Sequence, residues 1–210
     1  MPAEEIVFYT NPMSRGRMVR WMLEEIGQPY RTEVLDYGTT MKSPDYLAIN
    51  PMGKVPAIVH RGAVVTECAA ICMYLAEAFP EAGLAPPPGD AQRAAYLRWM
   101  FFAAGPVEAA VSAKSLGLLA PPDKAGMVGY GSFEQVVDVL ESLAAAASPW
   151  LLGERFSAAD VYVGSQIAWG VRFGTLPTRP AFTEYADRLL ARDAAKRAAA
   201  LDDAAMPAKS

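Results

Sequence analysis

The segment from Pro80 to Asp90, PEAGLAPPPGD, constrains the fold of this chain strongly because no helix or strand can run through it. Prolines lack a backbone N–H and restrict the residue before them, so a segment this rich in proline ends regular secondary structure. We interpret residues 81–89 as a linker. It separates a domain over residues 1–80 from a second domain over residues 90–210.

Before the linker, strand and helix patterns alternate. Glu4–Thr10 is rich in β-forming residues, and the apolar residues that follow it recur at helical spacing up to Gly27, a favoured helix C-cap. A second strand is predicted over Tyr30–Leu35. Ser43 and Pro44 predict a short helix, because serine caps a helix N-terminus and proline suits the first helical position.

The next part of the first domain predicts a hairpin and a helix. The runs PAIV (residues 56–59) and AVVT (residues 63–66) flank His60-Arg61-Gly62, which is typical of two antiparallel strands. Apolar residues on one helical face then extend from Glu67 to Phe79. The predicted order is therefore βαβ, a short helix and ββα.

After the linker the chain becomes rich in alanine, a strong helix former. Four helices are predicted there, over residues 91–104, 132–147, 157–171 and 181–201. Gly105 and Pro106 should kink or end the first of them. The sequence therefore predicts an α/β N-terminal domain followed by an all-α C-terminal helical domain.

Composition excludes several classes of partner. The 210-residue chain is 52% hydrophobic and carries a net charge of −4, so no broad positive surface is expected for a nucleic-acid backbone. A membrane-spanning helix needs about 20 apolar residues, and every window of that size holds a charge or a Pro/Gly break. The N-terminus also lacks a signal-peptide pattern, so we expect a cytoplasmic protein with no membrane partner.

Cysteine and histidine offer little chemistry in this chain. Cys68 and Cys72 match neither a C-x-x-C redox motif nor a complete zinc site, and we interpret them as small buried hydrophobic residues. The single histidine, His60, falls at the end of a strand among turn residues. We therefore expect neither a metal site nor imidazole-based catalysis.

Pro56 stands directly before the first strand of the hairpin, where a residue without an N–H requires an explanation. Proline is tolerated there if it begins an edge strand. The alternative is a cis Val55–Pro56 peptide bond, which is accessible because X–Pro bonds favour trans by only about 0.5–1 kcal/mol. A cis bond would turn the N–H and C=O of Val55 outward, where they could hydrogen-bond an extended peptide.

Charged residues on either side of this Val-Pro pair suit the two ends of a small peptide. Thr66-Glu67-Cys68 begins a helix, whose free N–H groups favour a carboxylate, while the Glu67 side chain can pair with an ammonium group. Lys54 could meet a second carboxylate. A peptide with an amino-acid head group at one end and a free carboxylate at the other has the pattern of glutathione.

Two blocks of the sequence resemble a known family. Residues 50–77, NPMGKVPAIVHRGAVVTECAAICMYLAE, resemble the glutathione-site block of the cytosolic glutathione S-transferases, and residues 156–167, FSAADVYVGSQI, resemble the second signature of that family. In the second block Ser157 and Asp160 predict a capping box with a structural role. The resemblance covers nearly the whole chain. It implies a thioredoxin-like N-terminal domain, an all-helical C-terminal domain and a homodimer.

The resemblance also implies the residues that bind glutathione, as co-substrate. Val55, with cis-Pro56, would pair with the cysteinyl backbone, and Lys54 would approach the glycyl carboxylate. Glu67 and Cys68 would hold the γ-glutamyl group. Because Cys68 stands where the family usually has serine, a hydroxyl donor becomes a weaker thiol, and we expect a modestly lower affinity.

The loop YTNPMSRGR (residues 9–17) is where we expect the group that stabilises the glutathione thiolate, because the thiol has a pKa of about 8.5. Ser14 is the first candidate: a hydroxyl at a helix N-terminus can donate to sulfur, although it can equally serve only as an N-cap. Asn11 and Arg15 are the alternatives, and Tyr9 is assigned to the core. The loop resembles the serine-using bacterial transferases without matching one class, so no class is assigned.

The activity implied is attack of the glutathione thiolate on a small apolar electrophile. Its acceptor site would lie between the domains, along a stripe of the first C-terminal helix: Tyr96, Trp99, Met100 and Phe102. Such a stripe is also typical of a core or an interface, so none of these residues is assigned to substrate. The alternatives are a glutathione-dependent isomerase or dehalogenase and a non-catalytic stress-response module. A thiol–disulfide oxidoreductase is disfavoured because the first loop has no cysteine.

Overall fold

Four short strands near the N-terminus form one mixed sheet in a computed structural model that describes residues 5–206. They are β1 (Ile6–Thr10), β2 (Tyr30–Val34), β3 (Ala57–His60) and β4 (Ala63–Thr66). The order across the sheet is β2-β1-β3-β4, with β2 parallel to β1 and the other two pairs antiparallel. This confirms the predicted hairpin and thioredoxin-like topology; Glu4, where the first strand was expected to begin, lies outside the described residues.

Three helices accompany the sheet: α1 (Gly16–Ile26), α2 (Pro44–Leu47) and α3 (Cys68–Ala78). Gly27 caps α1 with a φ of 67°, a backbone conformation that favours glycine, and its N–H donates to the carbonyl of Leu23. Ser43 accepts a hydrogen bond from the N–H of Tyr46 at the start of α2. The predicted caps of both helices are confirmed.

Both cysteines and the histidine lie in the interior of the first part of the chain. Cys68 and Cys72 are both buried, and burial raises the pKa of the Cys72 thiol well above its ordinary value. His60 is buried at the end of β3, with Nδ1 2.9 Å from the Tyr74 hydroxyl and its ring stacked on Phe79. Within residues 5–206 no group of three or more His, Cys, Asp or Glu side chains is arranged to hold a metal ion.

The helical part contains five α-helices between residues 93 and 190: α4 (Arg93–Phe102), α5 (Glu108–Leu116), α6 (Phe133–Ala146), α7 (Ala158–Arg172) and α8 (Pro180–Leu190). A π-helical turn that contains Pro106 ends α4, as predicted, because proline has no N–H for the α-helical pattern. The chain then continues as α5, which sequence analysis does not predict. Of the aromatic stripe on α4, Tyr96 and Met100 are fully buried, and Trp99 packs edge to face on Phe102.

The carboxylate of Asp160 organises the start of α7. It accepts hydrogen bonds from the N–H of Ser157 at 2.9 Å, the N–H of Leu151 at 2.8 Å and the hydroxyl of Tyr185 at 2.8 Å. The predicted capping box is present. The side chain is fully buried, and this burial raises the pKa of the Asp160 carboxyl in spite of its donors.

The prediction of a single helix over residues 181–201 is wrong. The structure has α8 and a separate α9 (Asp193–Ala204), because Arg192 is extended, with ψ 139°. The guanidinium of Arg192 binds both carboxylate oxygens of Glu25 at 2.7 Å, and Arg20 forms an almost fully buried ion pair with Asp202, also at 2.7 Å. These bonds hold α9 against α1.

Grouped by contacts, the chain divides into two units. The first comprises the described residues up to Ala82 together with those from Arg192 onward, and the second is Gly83–Ala191. The boundary between Ala82 and Gly83 falls within residues 81–89, which the sequence predicts as a linker. Helix α9, however, belongs to the first unit, although sequence analysis places it in the C-terminal domain. No helix within residues 5–206 is long and apolar enough to cross a lipid bilayer.

Candidate functional site

Three strands have an end on the same side of the sheet: β1 and β4 finish there, and β3 begins there. Ala57 at the start of β3 pairs with Tyr9 of β1 on one side and with Thr66 of β4 on the other. Because both pairs are antiparallel, the residues one step beyond them are also neighbours. Pro56, Glu67 and the loop that follows β1 therefore lie side by side at this end of the sheet.

The Val55–Pro56 peptide bond is cis, as predicted. Pro56 is buried, and Val55 packs half-buried against a small apolar cluster of Met41, Tyr46 and Ala57. The strand pairing of the hairpin begins only at Ala57. Within residues 5–206 the backbone N–H and C=O of Val55 form no hydrogen bond, so one donor and one acceptor are available to a ligand.

Glu67 precedes α3 in an unusual backbone conformation. Its φ is 67° and its ψ is 120°, a region that few residues other than glycine adopt. Holding a residue in this backbone conformation costs about 1–3 kcal/mol of free energy, and residues held in this way are found preferentially at ligand sites. The Glu67 side chain is exposed and makes no capping hydrogen bond, so the first turn of α3 and this carboxylate are both accessible to a ligand.

The start of α3 contacts the loop between β1 and α1. The buried thiol of Cys68 donates to the carbonyl of Arg15 at 3.7 Å. The structure thus brings two predicted residues, Arg15 and Cys68, together beside Glu67. Lys54 directly precedes Val55, and its side chain is exposed.

Ser14 is buried and its hydroxyl is already engaged. It donates to the carbonyl of Asn11 at 2.7 Å and accepts from the N–H of Gly16 at 2.9 Å. A hydroxyl has one proton, so donation to a thiolate requires the bond to Asn11 to break. The role of Ser14 as thiolate donor stays a prediction, while its role in shaping the loop is observed.

The two alternative thiolate donors differ in their surroundings. Asn11 is buried, and its amide braces the loop: Nδ2 donates to the carbonyl of Leu35 at 2.8 Å and Oδ1 accepts from the N–H of Met13 at 2.9 Å. Arg15 is exposed at the tip of the loop. Its cation is therefore better placed than the Asn11 amide to meet a ligand from solvent.

Thr10 is a residue of the site that sequence analysis missed. It ends β1, is fully buried, and its hydroxyl has no hydrogen-bond partner within residues 5–206. A Cβ on Gly16 would collide with this hydroxyl and would also crowd the Ser14 side chain. The loop therefore requires glycine at position 16, although that glycine has an ordinary helical conformation.

The segment before Val55 is held by a set of side chains that the sequence did not reveal. The carbonyls of residues 52–54 accept hydrogen bonds from Lys42, Tyr46 and Asn50. Asn50 opens the motif that resembles the family, but side-chain bonds to loop carbonyls leave no periodic pattern from which to predict a role.

The cis-proline before β3, the available main chain of Val55 and the helix that starts beside it are features of a thioredoxin-like domain. Comparisons with known proteins identify the same fold. The family model for the N-terminal domain of glutathione S-transferases matches residues 13–78. Glutathione S-transferase GST-4.5 of Xanthomonas campestris is 30% identical over 190 residues, which cover 87% of this chain and 92% of that protein. The chain belongs to the glutathione S-transferase family.

Further relatives and solved structures extend the comparison. The disulfide-bond oxidoreductase YfcG of Escherichia coli is 28% identical over 204 residues, covering 92% of this chain and 94% of that protein. A glutathione transferase from Methylococcus capsulatus superposes with a TM-score of 0.76 at 29% identity, over 95% of this chain and 99% of that chain. A sphingomonad glutathione S-transferase complexed with glutathione gives a TM-score of 0.76 at 25% identity, over 94% and 98%.

Proposed function

We propose that this protein is a glutathione transferase that binds glutathione at the end of its sheet where β3 begins, and uses the thiol, as thiolate, to attack a small apolar electrophile. The observation that carries the proposal is the main chain of Val55. Its N–H and C=O have no partner within the described residues, and they lie beside Glu67 at the accessible start of α3. The names of the relatives and the glutathione in the sphingomonad structure support the same ligand.

In the proposed pose, each part of glutathione meets a matching group. The cysteinyl backbone pairs with Val55 beside Pro56, as an added strand pairs with a sheet edge. The γ-glutamyl ammonium meets the Glu67 carboxylate, and its carboxylate meets the N–H groups of α3 that begin at Cys68. The glycyl carboxylate meets Lys54. We propose in addition that the protein is a homodimer and is located in the cytoplasm, as expected from the sequence.

A calorimetric titration with glutathione, followed by initial rates against a panel of electrophiles, tests this function. We expect saturable binding at one site per chain and turnover that requires glutathione. Absence of heat on injection would refute the proposal. Binding without turnover would favour a non-catalytic stress-response module, and isomerised or dehalogenated products would identify a glutathione-dependent isomerase or dehalogenase.

Replacing Ser14 with alanine should raise the thiol pKa of bound glutathione by about one unit or more, because a hydrogen bond to the charged form favours that form. The measurement is a pH titration of thiolate absorbance in the complex. Ser142→Ala, which removes an exposed hydroxyl on α6, is the matched control. An unchanged thiol pKa in Ser14→Ala would assign the role to Asn11 or Arg15.

A second candidate is glutathione-dependent disulfide reduction, which the likeness to YfcG favours. The first loop lacks a cysteine, so the attacking sulfur would come from glutathione itself. The bound thiolate would form a mixed disulfide and release one thiol, and a second glutathione thiolate would then yield oxidised glutathione and the other thiol. Turnover of a small disulfide, exceeding that of every electrophile in the panel, would select this activity.

A further inference from the structure

The carbonyl of Lys54 is held by two buried side chains. It accepts a hydrogen bond from the Tyr46 hydroxyl at 2.5 Å and another from Nδ2 of Asn50 at 2.8 Å. Tyr46 is only 3% exposed and Asn50 only 4% exposed. The Lys54 carbonyl therefore points into the interior of the first unit.

The geometry of the next peptide unit follows from this contact. The Lys54–Val55 bond is not among the cis bonds of the described residues, so it is trans. In a planar trans peptide unit the C=O and the N–H point in opposite directions. Because the Lys54 carbonyl is directed inward, the N–H of Val55 is directed away from Tyr46 and Asn50, toward the side where a ligand would lie.

The preceding residues are held in the same way. Nζ of Lys42 donates to the carbonyl of Gly53 at 2.7 Å and approaches that of Met52 at 3.3 Å. Gly53 has a φ of 55°, and a Cβ there would lie 2.8 Å from Nζ of Lys42 and 2.9 Å from the carbonyl of Met41. The path of the chain into Lys54 is therefore closely defined.

The protonation state of Tyr46 suits a donor. Burial raises the pKa of the Tyr46 hydroxyl to about 12, so the phenol keeps its proton throughout the neutral range. A phenol donating to a carbonyl and an amide donating to the same carbonyl both work without ionisation. Neither contact is expected to weaken between about pH 6 and pH 9, because this range lies below the Tyr46 pKa of about 12.

We infer that Tyr46 and Asn50 are positioning residues for glutathione: by holding the Lys54 carbonyl, they fix the Val55 N–H in the orientation that meets the peptide of the ligand. The inference rests on the proposed function. A donor that is already oriented needs no reordering when the ligand binds, whereas a peptide unit that can rotate must lose that freedom. Tyr46 and Asn50 need not touch the ligand.

The test is the dissociation constant of glutathione for Tyr46→Phe, measured by calorimetry. We expect it to rise about five- to tenfold, the cost of ordering one peptide unit. Where the wild type turns over, KM for glutathione should rise by the same factor and kcat at saturating glutathione should not change.

Tyr9→Phe is the matched control. The Tyr9 ring packs 5.5 Å from the Tyr46 ring, but its hydroxyl makes no hydrogen bond within the described residues. We expect no change in the dissociation constant for this variant. If both variants weaken binding equally, or neither does, the inference is overturned.

The outcomes for the inference and for the function are separable. If the wild type binds no glutathione, the proposed function fails and the inference fails with it. If the wild type binds and Tyr46→Phe binds equally well, only the inference fails. Should Tyr46→Phe not fold, Asn50→Ala removes the second donor to Lys54, and an unchanged dissociation constant there refutes the inference.

Discussion

Glu67→Gln should weaken glutathione binding by about five- to tenfold, because a hydrogen bond to a charged group contributes about 1.5–3 kcal/mol and a neutral one about 0.5–1.5 kcal/mol, a difference of about 1–1.5 kcal/mol. Glutamine has the same length as glutamate, so the positive φ at position 67 and the start of α3 should be unchanged. Calorimetric titration of both proteins with glutathione measures the difference. The free energy of unfolding should stay within about 0.5 kcal/mol of wild type.

The matched control for this prediction is Glu81→Gln. Glu81 is also exposed and lies in the same unit, directly after Pro80. The substitution Glu81→Gln removes the same charge as Glu67→Gln but lies away from the proposed binding site, so it should leave the dissociation constant of glutathione unchanged. A dissociation constant for Glu67→Gln within threefold of wild type would remove Glu67 from the binding site.

Asp160→Ala should lower the free energy of unfolding by about 3–5 kcal/mol, because it leaves several buried donors without their acceptor. The backbone N–H groups of Ser157 and Leu151 and the hydroxyl of Tyr185 would lose bonds of 2.8–2.9 Å. Urea denaturation followed by circular dichroism measures the change. A loss of this size can exceed half of the free energy of unfolding of a typical domain, so the urea denaturation should be carried out at low temperature.

Asp187→Ala on α8 is the control for the helical unit. Asp187 is exposed, and the change to alanine removes a charge without uncovering a buried donor. We expect a change of no more than about 0.5 kcal/mol in the free energy of unfolding. Comparable losses in Asp160→Ala and Asp187→Ala would mean that the capping carboxylate contributes no more than a surface aspartate.

The parts of the fold that sequence could predict are those with strong local signals. Gly27 ends α1 because its backbone requires a positive φ, and Ser43 caps α2 through a neighbouring N–H. The proline at the entrance to β3 raised the possibility of a cis bond at Val55–Pro56, and the family resemblance of the surrounding motif selected cis over trans. Each of these signals lies within a few residues of the structure that it specifies, which is why pattern, propensity and motif were sufficient.

The parts that sequence could not predict depend on partners distant along the chain. The break before α9 has no glycine or proline, and Arg192 is extended where it binds Glu25, a residue of α1. At the site, the hydroxyl of Ser14 is directed to Asn11 rather than to a ligand, an orientation that helix-start rules do not address. Helical periodicity likewise gave no sign that a chain interrupted at Pro106 would continue as α5.

The first unit is discontinuous in sequence, since its sheet and α1 come from the beginning of the chain and α9 from the last part. A fragment that stops at residue 82 would leave the guanidinium of Arg20 facing solvent without the Asp202 carboxylate. Chimaeras that exchange helical halves between related transferases should therefore transplant only the middle of the chain. The junctions belong near residues 83 and 191, with the native C-terminal segment retained.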